Sequence, residues 1–297
     1  MPFTPGVLRI SATYALGFSV AWSLLGCPHL LDDTYPSAPT PSGDSGTEQM
    51  PPRLPGSASA DASGGIAAGG GSENLIHRYS FDATGSSATD LIGSAPGQLI
   101  NGTLAGNGVL DLAGNDTEQY LDLPNGIVSG LNDATFEAWL SWRGGDPWQR
   151  IFEFGITSGG EDLSGDGVSY LFLTPMSSLV NGSTLRAAYS VSGYREDTHV
   201  DAPTALPVDM VTHVAVVIDD GKDQMSIFTD GEQRSSVPFT GSLSAIDDVN
   251  NWLGRSQFGD APLSAELLEF RIYAAALTQP QLRATFRAGP EVLPTGE

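Results

Sequence analysis

Two carboxylates hydrolyse a glycosidic bond when a strand sets them on one face, about 5 Å apart for a retaining reaction. Glu137 in "FEAW", Glu153 in "FEFG" and Glu269 in "LEFR" all sit in strand-like runs, and none has a second carboxylate two residues away. The four histidines, His29, His77, His199 and His213, are scattered, with no H-E-x-x-H motif, and no G-x-S-x-G turn occurs. His213, in the apolar run "THVAVV", reads as a hydrogen-bonded structural histidine. In "EDLSGDG", Asp162, Ser164, Asp166 and Gly167 match the first half of a calcium loop, but its twelfth place is Leu173 instead of a bidentate Glu. A solvated turn is the competing reading. Two loops join rings to polar groups, the combination that stacks on the CH faces of sugars. They are "WRGGDPWQR" (142–150) and "SGYREDTH" (192–199). Trp148, Arg150, Tyr194 and Arg195 are their candidate ligand contacts, with Glu137 and Trp139 a further pair on the polar face of their strand. The alternative is that Trp142 and Trp148 fill the core and cover a sheet edge.

Composition narrows the partners. The chain has 13 Lys+Arg against 35 Asp+Glu, a formal charge of −22. A surface this acidic repels nucleic acid and anionic headgroups and leaves room for cations. Cys27 is the only cysteine, which excludes a disulfide framework and a multi-thiolate zinc site. The 36 Gly and 20 Pro, with few helix-periodic stretches, point to an all-β protein with many turns.

The first residues read as an address. Arg9 precedes the uncharged run "ISATYALGFSVAWSLLG", the pattern of a secretory signal. Leu24-Leu25-Gly26-Cys27 resembles the bacterial lipobox. That resemblance implies cleavage after Gly26, a lipid on the Cys27 sulfur, and attachment to a membrane through that anchor. Pro28 stands where an Asp often retains such proteins at the inner membrane, so the outer membrane of the cell envelope is favoured. Residues 1–26 are then the signal, and 27–73, rich in Pro, Ser and Gly, are a disordered tether.

The elements that must position the candidate residues lie in 74–290, with 291–297 a tail. "LIHRYSF", "QYLDLP", "ATFEAWLSW", "RIFEFG", "VSYLFLTP", "TLRAAYSV" and "THVAVVID" read as short strands. In "ATFEAWLSW", Phe136, Ala138, Leu140 and Trp142 share one face, and Thr135, Glu137, Trp139 and Ser141 the other. Asp230-Gly231 predicts a tight hairpin turn, and "LLEFRIYAAAL" a last strand. Thr278 with Gln281 forms a capping box, with Pro280 in the first turn, so 278–289 is a short terminal helix.

Three stretches in order, "HRYSFDATGSSATDLIG", "TFEAWLSWRGGDPWQRIFEFG" and "NNWLGRSQFGDAPLSAELLEFRIYAAALTQPQL", resemble laminin-G-like, concanavalin A-like domains over residues 76–289. The resemblance implies two antiparallel sheets packed as a jelly-roll sandwich. Relatives of this kind bind glycans, bind proteins or hydrolyse polysaccharides. The hydrolases resembling laminarinases carry E-x-D-x-x-E, which is absent from this chain. Lectin-like relatives often hold a structural calcium, which the resemblance places at Asp90 and Glu269, although Leu268 stands where many have Asp. The bland alternative has Asp90 capping a turn and Glu269 pairing with Arg255 or Arg271. The expectation is an extracytoplasmic, non-catalytic module that recognises carbohydrate or an extracellular protein. The alternatives are a polysaccharide hydrolase with atypical carboxylates or a structural envelope protein.

Overall fold

The computed structural model describes residues 72–294, apart from 115, 116, 164 and 179–181. The signal, Cys27 and nearly all of the tether lie outside the described residues. Sheet I orders β1 (Leu75–Tyr79), β17 (Ser264–Tyr273), β8 (Ala134–Trp142), β13 (Val211–Asp219), β14 (Gln224–Thr229) and β15 (Glu232–Pro238), and β6 (Leu110–Ala113) also pairs with β17. Sheet II orders β12 (Thr198–Asp201), β11 (Arg186–Ser190), β10 (Gly167–Thr174), β9 (Phe152–Thr157), β16 (Asn250–Leu253), β7 (Tyr120–Leu123), β4 (Gly97–Ile100) and β3 (Ser87–Ala88). A small ribbon pairs β2 (Thr84–Gly85) with β5 (Leu104–Ala105). The pairings are antiparallel, so the fold is the expected jelly-roll sandwich with one C-terminal helix, α1 (Gln279–Ala288).

Alternation decides which side chains enter the core. Phe136 of β8, Phe152 and Phe154 of β9 and Phe270 of β17 meet between the sheets, with centroids 5.1–6.4 Å apart. Asp230 and Gly231 both take positive φ (53° and 74°), as the hairpin between β14 and β15 requires. The helix starts as its sequence predicts: the Gln281 side-chain oxygen accepts from the Thr278 backbone N–H at 2.9 Å. Its buried residues, Leu282 and Thr285, rest on the outer face of sheet I, where Ala215, Val217, Phe228, Tyr273 and Leu277 form a second apolar cluster. The strands β2 to β6, β12 and β16 were not legible as strands, because each has four residues or fewer and no long alternation.

Candidate functional site

The outer face of sheet II is where side chains with ligand chemistry collect. On β10 the residues alternate, so Leu171 and Leu173 enter the core while Tyr170 and Phe172 turn outward. Their rings stack at 5.4 Å, and Phe258, from the loop after β16, meets Tyr170 edge-on at 5.3 Å. Trp148 closes one side. The turn before it takes positive φ at Gly144, Gly145 and Trp148, which swings the indole back over the sheet, half-buried. Tyr194 closes the other side, 60 % exposed and edge-on to Phe258. The result is a groove of about 360 Å³ lined by Trp148, Arg150, Tyr170, Phe172, Tyr194 and Phe258, with Arg186, Asp197 and Asp260 completing it.

The arginines of this groove are already paired. Arg150, only 2 % exposed, donates to Glu153 at 3.0 Å, pairs with Asp260 at 3.1 Å and lies 4.0 Å from the Phe172 ring centroid. Arg186 forms a two-pronged pair with Asp201, both contacts at 2.7 Å, and faces Trp148. Glu153 also accepts the Gln257 backbone N–H at 2.9 Å. Burial keeps its carboxyl above the ordinary range although Arg150 pulls the other way. Glu153 and Arg150 therefore act from below, pinning the Arg255–Asp260 loop at Gln257 and Asp260.

A protein-family model described as the concanavalin A-like lectin/glucanases superfamily matches residues 115–283. The chain belongs to that superfamily. Among solved structures, this concanavalin A-like domain is similar to domain 4 of AbnA, a GH43 extracellular arabinanase from Geobacillus stearothermophilus, solved in complex with arabinotriose. Identity is 21 %, the match covers 71 % of this chain and 97 % of that one, and the TM-score is 0.51. It is also similar to the Trypanosoma rangeli sialidase in complex with sialic acid, at 16 % identity, 72 % of this chain, 32 % of that one and a TM-score of 0.51. At these identities the likeness is one of fold. No curated protein matches the chain.

Within the concanavalin A-like domain the sequence candidates separate. Trp148, Arg150 and Tyr194 come together in the groove, whereas Arg195 points along the Tyr194 ring and is not part of the lining. Trp142 is core, its indole N–H donating to Gln149 at 2.7 Å. Glu137 and Trp139 are corrected: the face expected to be open is covered by α1, and they are 0 % and 2 % exposed. Glu137 accepts from His213 at 2.7 Å, Tyr273 at 3.0 Å and the Thr285 hydroxyl. His213 Nδ1 accepts the Gly231 backbone N–H at 3.2 Å, which leaves Nε2 as the ring nitrogen that donates to Glu137.

The expected calcium ligands are engaged by protein donors. Asp90 caps the 90–95 turn, accepting backbone N–H groups of Arg78, Ile92, Gly93 and Ala95, and its Oδ2 lies 2.7 Å from His77 Nδ1. Burial works against its ionisation, but those bonds hold its carboxyl below the usual range. Glu269 is buried between Arg78 and Arg271, and the Nε groups of both arginines donate to its Oε1. The Asp166 backbone N–H donates to the Ser158 hydroxyl and its carbonyl accepts from the Ser158 backbone N–H, which ties residues 158 and 166 together, and Ser164 lies outside the described residues. Among the described residues no group of three or more His, Cys, Asp or Glu is arranged to hold a metal.

Tyr170, Phe172, Phe258 and Asp260 escaped the sequence reading. Two aromatics on the outward face of "VSYLFLTP" were a usable signal, since that face would otherwise be polar. Phe258 and Asp260 gave none, because only the return of the loop over β10 brings them there.

Proposed function

We propose that this domain binds carbohydrate without transforming it, at the aromatic groove on the outer face of sheet II. The carrying observation is the set of rings, Trp148, Tyr194 and Phe258, around one pocket whose arginines are fixed by carboxylates. Such rings offer flat apolar surface to the CH faces of a sugar, and the polar rim offers hydrogen-bond partners to its hydroxyls. Burial of Glu137 and Glu153, both 0 % exposed and held by protein donors, supports binding rather than hydrolysis. We further read the domain as extracytoplasmic, tethered by 27–73 and anchored by lipid on Cys27; the sequence alone supports this part.

The test is titration of the protein with a glycan panel. Binding of one neutral series that falls by roughly tenfold or more in Trp148→Ala, with unchanged melting, is expected. Binding unaffected by Trp148→Ala and Phe258→Ala would overturn the assignment. One observation favours a second reading, a polysaccharide hydrolase: the Asp122 carboxyl is pushed up to about 6 by burial and by Asp162. Release of reducing ends that disappears in Asp122→Asn would replace the binding reading.

A further inference from the structure

Beyond the Arg255–Asp260 loop lies a second pocket, of about 480 Å³, whose lining includes Glu118, Tyr120, Asp162, Arg255, Ser256 and Asp260. Its position follows from the sheet order: the groove stands over β10 and β11, the loop leaves β16, and Tyr120 rises from β7 on the other side. Asp260 lines both pockets, with its Oδ2 accepting from Ser256 at 2.8 Å and lying 3.1 Å from Arg150. The loop is therefore a pinned divider between two pockets on the same sheet face.

The chemistry of the second pocket is different. The Arg255 guanidinium sits against two rings, 4.0 Å from the centroid of Trp252 and 4.6 Å from that of Tyr120, with no ion-pair partner within 4.0 Å among the described residues. These cation–ring contacts hold the guanidinium in the pocket wall. Against this one cation stand the carboxylates of Glu118, Asp162 and Asp260. Sugar hydroxyls donate charge-assisted hydrogen bonds to carboxylates, whereas an acidic sugar would meet like charge. In the first groove Arg150 and Arg186 are already neutralised by Glu153, Asp260 and Asp201, so neither offers a free charge to an anion.

We propose that the two pockets are one extended site, and that its ligand is a neutral oligosaccharide running from the Trp148–Phe258 groove over the Arg255–Asp260 loop into the Tyr120–Arg255 pocket. This rests on the groove binding carbohydrate, and it adds a length requirement and a charge class. Calorimetric titration of the full chain tests it, with gluco-, xylo-, manno- and arabino-oligosaccharides of two to six units beside oligogalacturonates and sialyllactose. In the series that binds, affinity is expected to rise by roughly tenfold or more from the disaccharide to the hexasaccharide. Acidic probes are expected to bind more weakly, most of all at low salt. Asp162→Asn and Arg255→Ala should each remove the gain with length and keep the disaccharide affinity. Asp162 is exposed at positive φ (59°), a conformation Asn adopts readily, so that variant tests the pocket even if Arg255→Ala misfolds. Equal affinity at all lengths, with Trp148→Ala still impaired, would overturn the extended site and leave the groove standing. Tighter binding of the acidic probes would overturn the charge class. Absence of binding to every probe, or binding indifferent to Trp148→Ala, would remove the groove and the extended site together.

Discussion

Asp122 projects from the outer face of β7, paired in register with Trp252 of β16. Burial, and after it the charge of Asp162, raises its carboxyl from 3.8 to about 6. The sign follows from proton binding. Between pH 4 and 6 the folded chain holds a proton that the unfolded chain has released, so stability falls across that window and is level above it. Asp122→Asn removes the cost. It should be about 1–2 kcal/mol more stable than the parent at pH 7, a figure reduced for the partial exposure of the site, with the advantage gone near pH 4. Urea midpoints at the two pH values check this; an equal advantage at both would show a packing effect instead. In sequence, "YLDLP" says only that Asp122 faces away from Leu121 and Leu123. Its altered proton affinity comes from burial and then from Asp162, forty residues later, and could not be read from the strand.

At the scale of elements, α1 closes sheet I and leaves sheet II for ligand. The closure is polar as well as apolar. Burial opposes the charge on Glu137, but the hydrogen bond from His213, then Arg271 and Thr285, outweigh it and hold the carboxyl below the usual range. Arg271 sits 4.5 Å from the Trp139 ring centroid and 2.6 Å from Glu269, and donates to the Pro290 carbonyl at 2.7 Å just past the helix. Thr285→Val keeps the shape and deletes one of these donors, so a loss of about 1–2 kcal/mol is expected in denaturant unfolding. Leu282→Ala, which empties space beneath the helix, should cost about 2–4 kcal/mol. Neither should change glycan affinity at a temperature where the variant is folded, because the groove lies on the opposite face of the sandwich. An affinity loss in Thr285→Val would mean that the two sheets communicate. The helix itself was legible, since Thr278, Gln281, Pro280 and Gly289 are local signals. That it lands on Glu137 and Trp139 was not, since alternation sorts a strand into two faces without saying what covers the second.

At the scale of the whole molecule, the lipid anchor, the tether and the domain make separate predictions. If Cys27 carries lipid, Cys27→Ser should move the protein from the membrane to the soluble fraction on cell fractionation, with no change in domain melting. Continued membrane partition of the variant would defeat the lipid reading. The sequence by itself determined the β class, the core face of β8, the hairpin at Asp230-Gly231 and the capped terminal helix. Each depends on neighbours a few residues apart, where side-chain period and turn stereochemistry act directly. It also supplied Trp148 and Tyr194 as candidate sugar contacts, because exposed rings in polar loops are informative alone. The tertiary structure decided which sheet face stays open, which carboxylates are consumed by arginines and backbone donors, and that Phe258 and Asp260 join β10 at the groove. Those outcomes depend on contacts between residues as far apart as Arg78 and Glu269, or Glu137 and Thr285, and no local spacing encodes such a meeting.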